Sequence, residues 1–447
     1  MILLAAGLSA GAMATPPAIR ADRTLEDYSY LADPAQRTGP FDPVKFVPLS
    51  GDGAVYASFG GEVRNRSEFL DAPDFAIGGE EADTYHLVRV LAHADIHLGP
   101  AVRLFAQLGA HEAVDKRILT PPDENGVDVH QLFLDVKPAP PLTLRLGRQE
   151  MMFNAVHRFI CSREGANVRQ AFDGGRLTFD DGRLRLEAFL ARPVALEYGS
   201  FDDGSDDRQT FAGVYASRQL AHGRPISLDA YWLLLDREGL GPPVDGRERR
   251  HSFGLRFAGA ADGWDWDIET MLQTGRAGGK DIRAWVVAAD VGYRFDAPLK
   301  PRLGFRLDAG SGDDDPGDDR IGGFHPLFPK GGYLSEANIG SWTNLLAMRP
   351  GVTLAPARNL TVETAVHLKW REDRDDAVYV GPSRPLLPTL GNRAREIGQA
   401  LIVDVNYQAS RHLSLRGYYM HHSAGNAIAR AGGQAQDFVM VTATFRF

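Results

Sequence analysis

Arginines and lysines recur on one face of stretches that alternate apolar and polar residues: Arg64 and Arg66, Arg89, Arg103, Arg145, Arg176, Arg185, Arg256, Arg294, Lys369 with Arg371, and Arg416. The chemistry open to such a set is anion recognition. A guanidinium is planar, permanently charged and matches a carboxylate bidentately, so rows of them can pass a polyanion from site to site. Carboxylates share these polar faces at Glu62, Asp95, Glu187, Asp267, Glu269, Glu363 and Asp404. Each arginine therefore has two readings, a free anion site or half of a salt bridge in a shared interior.

Other chemistry is weaker. Gly7-Leu8-Ser9-Ala10-Gly11 has nucleophile-elbow spacing but falls in a cleavable leader. His111-Glu112 lacks the second histidine of a zinc helix. His86, His93, His97, His111 and His130 fall on strands and read as interior or interface residues rather than ligands. An acyl hydrolase would need a Ser-His pair at the outer rim, and none is recognisable, so no enzyme is expected. The single cysteine, Cys161, removes intrachain disulfides and CxxC sites. The acidic runs 202–207 and 313–319 could hold Ca²⁺, with Asp313, Asp315 and Asp318 the set for it. Neither run has EF-type spacing with a distal Glu, and solvated outer loops near divalent-bridged lipopolysaccharide are the simpler reading. No other cofactor is expected.

The elements that position these residues are strands. In Asp437–Phe447, Val439, Val441, Ala443, Phe445 and Phe447 form one face and Thr442, Thr444 and Arg446 the other, the period of a strand and about the length of one tilted across a bilayer. Similar runs occur at about 54–69, 86–98, 102–111, 128–137, 142–150, 174–180, 183–192, 209–221, 226–236, 249–259, 264–276, 282–296, 301–311, 341–354, 359–371, 394–408, 411–423 and 435–447. They total about eighteen, an even number, and predict an all-β, transmembrane antiparallel barrel of outer-membrane type. Trp264, Trp266, Tyr293, Phe295, Trp370 and Phe445 lie near strand ends, as interfacial girdles do. Short turns alternate with long acidic or glycine-rich connections at 70–83, 113–127, 199–208, 237–248, 312–340, 372–393 and 424–434. Residues 151–172 break the period and are expected to fold inward as a constriction.

Met1–Ala14 is apolar and ends in Ala12-Met13-Ala14, a small-x-small cleavage pattern, so 1–14 reads as a signal peptide. Residues 15–52 are expected to form an N-terminal segment, either periplasmic or at the barrel mouth, and 53–447 the barrel. No later run reaches the ~18 apolar residues of a spanning helix. A net charge of −9 argues against a nucleic-acid partner, while leaving room for a cationic lumen beneath acidic loops.

Gly147-Arg148-Gln149-Glu150, Arg163 and Asn167-Val168-Arg169-Gln170-Ala171-Phe172-Asp173-Gly174 resemble the GRQ and NVR-x-x-FDG signatures of the bacterial alginate-export family of outer-membrane porins. Gly310-Ser311-Gly312-Asp313, Phe324-His325-Pro326-Leu327-Phe328-Pro329-Lys330-Gly331-Gly332-Tyr333, Asn344-Leu345 and the terminal strand extend the match over nearly the whole mature chain. The resemblance implies a monomeric 18-stranded barrel in the outer membrane, exporting an anionic, alginate-like polysaccharide through an arginine-lined constriction. It implies contact with membrane lipid and lipopolysaccharide, and with periplasmic export proteins. It adds Arg148, Arg163 and Arg169 to Arg64, Arg66, Arg89, Arg145, Lys369 and Arg371 as pore-lining residues. The competing expectation is an anion-selective porin taking up small anionic oligosaccharides or organic acids.

Overall fold

A computed structural model describes residues 17–240 and 246–447; the expected signal peptide lies outside them. Eighteen strands build the wall: β1 (Val55–Leu70), β2 (Asp83–Leu98), β3 (Val102–Val114), β4 (Asn125–Val136), β5 (Leu142–Gln149), β6 (Phe172–Asp180), β7 (Leu184–Ala195), β8 (Gln209–Gln219), β9 (Ser227–Leu240), β10 (Gly246–Ala261), β11 (Trp264–Ala277), β12 (Lys280–Arg294), β13 (Arg302–Gly310), β14 (Leu345–Ala357), β15 (Leu360–Trp370), β16 (Glu396–Gln408), β17 (Leu413–Ala424) and β18 (Gln436–Arg446). Consecutive strands pair antiparallel, and β18 returns to β1 through Glu62↔Arg446 and Val63↔Phe445. Closure satisfies the backbone groups that an open edge would leave bare in lipid.

Side-chain parity gives the wall two faces. Along β1, Glu62, Arg64, Arg66 and Glu68 are buried toward the interior, whereas Phe59, Val63 and Phe69 are exposed outside. The same outward greasiness continues at Val90, Leu108, Leu132, Leu146, Leu190, Val214, Phe253, Leu272, Phe305, Val352, Leu401 and Val441. Apolar exposure running round the whole wall far exceeds the few hundred Å² typical of a water-soluble monomer, so its solvent is hydrocarbon.

The two ends of the barrel differ. At one end the turns are short: 99–101, 137–141, 181–183, 220–226, 262–263, 295–301, 358–359 and 409–412. Asp262-Gly263 is a two-residue connection whose Gly263 has φ +88°, a conformation that favours glycine. At the other end most connections are long. Three differences from expectation appear there. The expected loop at 237–248 is mostly strand, because β9 runs to Leu240 and β10 resumes at Gly246. The strand expected from 341 begins at Leu345. The expected long loops 312–340 and 372–393 lie within segments 311–344 and 371–395, which turn into the barrel together with 150–171, the stretch expected at 151–172 to do so.

These segments give the barrel a core. Phe153, Phe159, Ile160, Phe324, Phe328, Trp342, Val378, Val380 and Leu386 pack against inward Phe189, Phe211, Tyr231, Met271 and Val286. The first two infolded segments pair with one another: Ile160 bridges Phe328, the Cys161 amide donates to the Phe328 carbonyl (3.0 Å) and the Phe328 amide to that of Phe159 (3.1 Å). Arg158, fully buried, ties this plug to β11 through Asp267 (2.5 Å) and Glu269 (3.1 Å).

Residues 17–50 cross the short-turn mouth. Val47–Pro48 pairs with β1, and Arg23 donates to the carbonyls of Gly61 (3.0 Å) and Phe447 (2.6 Å). The Lys45 ammonium lies over the rings of Tyr28 (4.9 Å) and Phe447 (5.6 Å). Burial, aided by repulsion from Arg23, lowers its pKa to about 7.

Candidate functional site: a cationic cavity beneath the plug

Between the plug and the short turns lies a cavity of about 1280 Å³, lined by eleven Lys/Arg and seven Asp/Glu side chains. It exceeds the ~300–1,000 Å³ of ordinary ligand pockets. The wall contributes charges by strand parity, and many neutralise one another across neighbouring strands. Arg145 on β5 faces its register partner Asp135 on β4 through two bonds (2.7 and 2.8 Å). Arg416 holds Asp404 (2.7 Å) and Glu336 (2.8 Å), and Arg66 holds Glu68 and Glu336 (3.1 Å). Burial alone would raise the Glu336 carboxyl, but Arg66 and Arg416 outweigh it and hold it at about 2.

The balance is unequal. Among the described residues, Arg20, Arg64, Lys137, Arg163, Lys330 and Arg358 line the cavity with no carboxylate oxygen within 4.0 Å of their charged side-chain nitrogens, whereas Asp22 is the lining acid without a cation that close. Arg64 spends its donors on neutral acceptors in the plug, the carbonyls of Glu164 (2.7 Å) and Ala166 (2.9 Å) and the Asn167 side chain (3.2 Å). Arg163, at φ +58° in the plug, is lowered in pKa by burial, which the Cys161 thiol only partly offsets. Arginine stays charged under such a shift, so the cavity keeps a net positive field.

Of the nine arginines and lysines that sequence reasoning placed on the pore, Arg64, Arg66, Arg145 and Arg163 open onto this cavity. The other five do not. Arg89 is sealed between Glu62 and Glu164, each at 2.7 Å. Arg169 is buried against Glu150 (2.8 Å) and Glu164 (2.7 Å). Arg148 pairs with Asp173 (2.9 Å) and reaches the carbonyls of Val129 and Asp203. Lys369 is buried and donates to the Ile339 carbonyl (3.0 Å). Arg371, also buried, staples 371–395 through the carbonyls of Ala394, Asp376 and Thr389. Arg89, Arg169, Lys369 and Arg371 hold the infolded segments in place, while Arg148 ties strands β4 and β6 to the loop at Asp203.

Sequence reasoning missed Lys330, Arg20, Lys137 and Arg358. Lys330 lies in the Phe-Pro-Lys-Gly-Gly-Tyr stretch, which was visible as a motif; the others sit in turns or the N-terminal segment, where alternation gives no signal. Asp313, Asp315 and Asp318 turn to backbone amides of Gly322, Gly317 and Arg320 respectively. The carboxylates that converge among the described residues are instead Asp128, Asp202 and Asp203, with Arg148 3.8 Å from Asp128.

A second cavity of about 500 Å³ shares Lys330, Glu336 and Arg416 with the first, and its remaining charges pair as Arg158 with Asp267, Arg302 with Asp265 and Asp290, Arg306 with Asp290, Arg349 with Glu363, and Asp404 with Arg416.

A family described as alginate export matches residues 55–442. No match is found among curated proteins. Solved structures of similar fold include three from Pseudomonas aeruginosa. OpdO has 12% identity and a TM-score of 0.58, with 88% of this chain and 97% of that one covered. OccK2 (OpdF), in complex with glucuronate, has 14% identity and a TM-score of 0.57, covering 88% and 98%. The outer membrane protein OpdK has 11% identity and a TM-score of 0.57, covering 87% and 98%. At these identities the likeness is one of fold.

Proposed function

The chain belongs to the alginate export family, and on that premise we propose that it is an outer-membrane channel, not an enzyme, through which anionic polysaccharide of the alginate type leaves by passive diffusion. One copy closes the ring, so a monomer makes the pore. The observation that carries this reading is the surplus of unpaired cations, Arg163 and Lys330 foremost, on the cavity beneath the plug. A carboxylate entering from the short-turn side meets guanidinium and ammonium groups whose fields no neighbouring acid cancels. Each contact is weak in water, about 1 kcal/mol at 4 Å, so a polymer can be held at several points and still move on. The mouth on this side is the periplasmic one, because long loops of such barrels face outward. A partner delivering polymer would dock there, beside the strap of residues 17–50.

A second reading, uptake of small anionic oligosaccharides or organic acids, is favoured by the apolar packing of the plug, past which small solutes pass more readily than a chain. Planar-bilayer recordings decide between them. Under a salt gradient the reversal potential is expected on the anion side, and polymannuronate added on the short-turn side is expected to block current where acetate does not. Cation selectivity would overturn both readings, and block by short acids but not by polymer would favour the second.

A further inference from the structure

The outside of the barrel carries a charged site of its own. Where β10, β11 and β12 approach the long-loop end, their outward residues fall in register. The lowest row ends on Trp264 opposite Tyr293; higher up comes Phe253, Leu272 and Trp285; then His251, Thr274 and Arg283; and at the top Arg249, Arg276 and Asp281. Thr274 stands ten residues above Trp264. At ~3.3 Å per residue and a strand tilt of ~40°, that is about 25 Å along the barrel axis, the height of the apolar band of such barrels. The arginines therefore sit at the upper edge of the hydrocarbon, where lipid headgroups lie.

A wall cavity of about 340 Å³ opens between them, lined by Arg249, Arg276, Arg283, His251 and Thr274. Gly275 also lines it, at φ +139°, where a Cβ would fall 2.0 Å from the Arg249 carbonyl, so the backbone here is held to glycine. The charges are poorly balanced. Arg249 and Arg276 are direct cross-strand partners, a like-charge pair that costs stability without an anion between them. Arg276 reaches Asp281 (3.1 Å), Arg249 lies 3.9 Å from Asp236, and Arg283 has no carboxylate within 4.0 Å among the described residues. Asp236 is itself engaged by Arg247 (2.7 Å).

We propose that this cavity binds the phosphate of an acylated, phosphorylated glycolipid in the leaflet on the long-loop side, with its acyl chains lying down the band of Phe253, Leu272 and Trp285. Three guanidiniums offer a dianion the forked donors it accepts best, the Thr274 hydroxyl adds a neutral one, and the anion relieves the Arg249–Arg276 repulsion. Attachment to lipid at this edge fixes the height and tilt of β10–β12 in the bilayer. The inference rests on the barrel crossing a membrane and is independent of which solute passes through it.

The test uses the whole protein in phosphatidylcholine nanodiscs, titrated with fluorescent diphosphorylated lipid A, with its dephosphorylated form and with inorganic phosphate as competitor. The phosphorylated lipid is expected to bind at least about tenfold more tightly than the dephosphorylated one, in line with roughly 1 kcal/mol per surface arginine. The R249Q/R276Q/R283Q variant should lose that preference, R192Q on β7 should keep it, and millimolar phosphate should not compete. Equal affinity for the two lipids, a triple variant that retains the preference, or an R192Q that loses it would overturn the proposal. Full competition by phosphate would do so as well, in favour of a free-anion site. Should the triple variant fail the heat-shift assay for a folded barrel, R283Q alone decides, with about a fivefold loss expected and no loss fatal.

Discussion

The lumen divides into two halves that use the same wall in opposite ways. Toward the short turns, inward residues face water, and cations such as Arg163 and Lys330 stand without acids. Toward the long loops, inward residues such as Phe172, Phe211 and Leu235 are covered by infolded chain and belong to a hydrophobic core. Even the arginines change role between them. Arg145 and Arg416 border open space, whereas Arg89, Arg169 and Arg371 are spent on holding loop backbone and Glu164. The difference teaches that charge in a barrel becomes a transport element only where nothing else has been packed against it.

Emptying the packed half should do most to erase the contrast. Trp342 is buried, stacks on Tyr333 and donates to Asp308 (3.0 Å). Trp342→Ala is expected to weaken plug packing by about 3–5 kcal/mol, seen as higher single-channel conductance and faster proteolysis within 311–344. Glu164 joins the halves, accepting from Arg89 (2.7 Å), Arg169 (2.7 Å) and Arg446 (3.0 Å) with a side chain 37% exposed. Glu164→Gln should cost roughly 1–3 kcal/mol, discounted for that exposure, and appear as noisier open-channel current.

Altering the open half should leave the plug intact. Arg163→Gln with Lys330→Gln is expected to lower anion-over-cation permeability severalfold, about 1 kcal/mol per charge, with conductance noise unchanged. A loss of plug integrity in that variant would mean the two halves are not separable.

The smallest effect concerns the strap. Lys45 titrates near 7 when docked and near 10.4 when released, so between those values the released form holds the extra proton and docking strengthens as pH rises. The gain is about 1.4 kcal/mol per pH unit across that window, read as slower proteolysis of residues 17–50 at pH 8.5 than at 7.5. Lys45→Met should abolish the dependence.

The strands were legible because lipid outside and charge inside impose a period of two on every stave. Parity put Glu62, Arg64 and Arg66 on the inner face correctly, but it carries no height. It could not say that Arg64 borders a cavity while Arg89, one strand over, is sealed under Glu164. The inward turn of 151–172 was readable from its broken period beside a strand. Segments 311–344 and 371–395 carry Asp and Gly runs that look like solvated loop, and their apolar anchors, Phe324, Trp342 and Val378, are too widely spaced to reveal a shared core.

The ring also sets the order of its own assembly. Glu62 and Arg446, bonded at 2.5 Å, are 384 residues apart in sequence, and joining ends that distant costs about 5 kcal/mol in chain entropy before any contact rewards it. Until that seam is sewn, the first and last staves present unpaired ribbons to any other nascent chain. Only the sewn ring gives every stave a neighbour on both sides, so the seam is the step that turns a sticky sheet into a sealed wall.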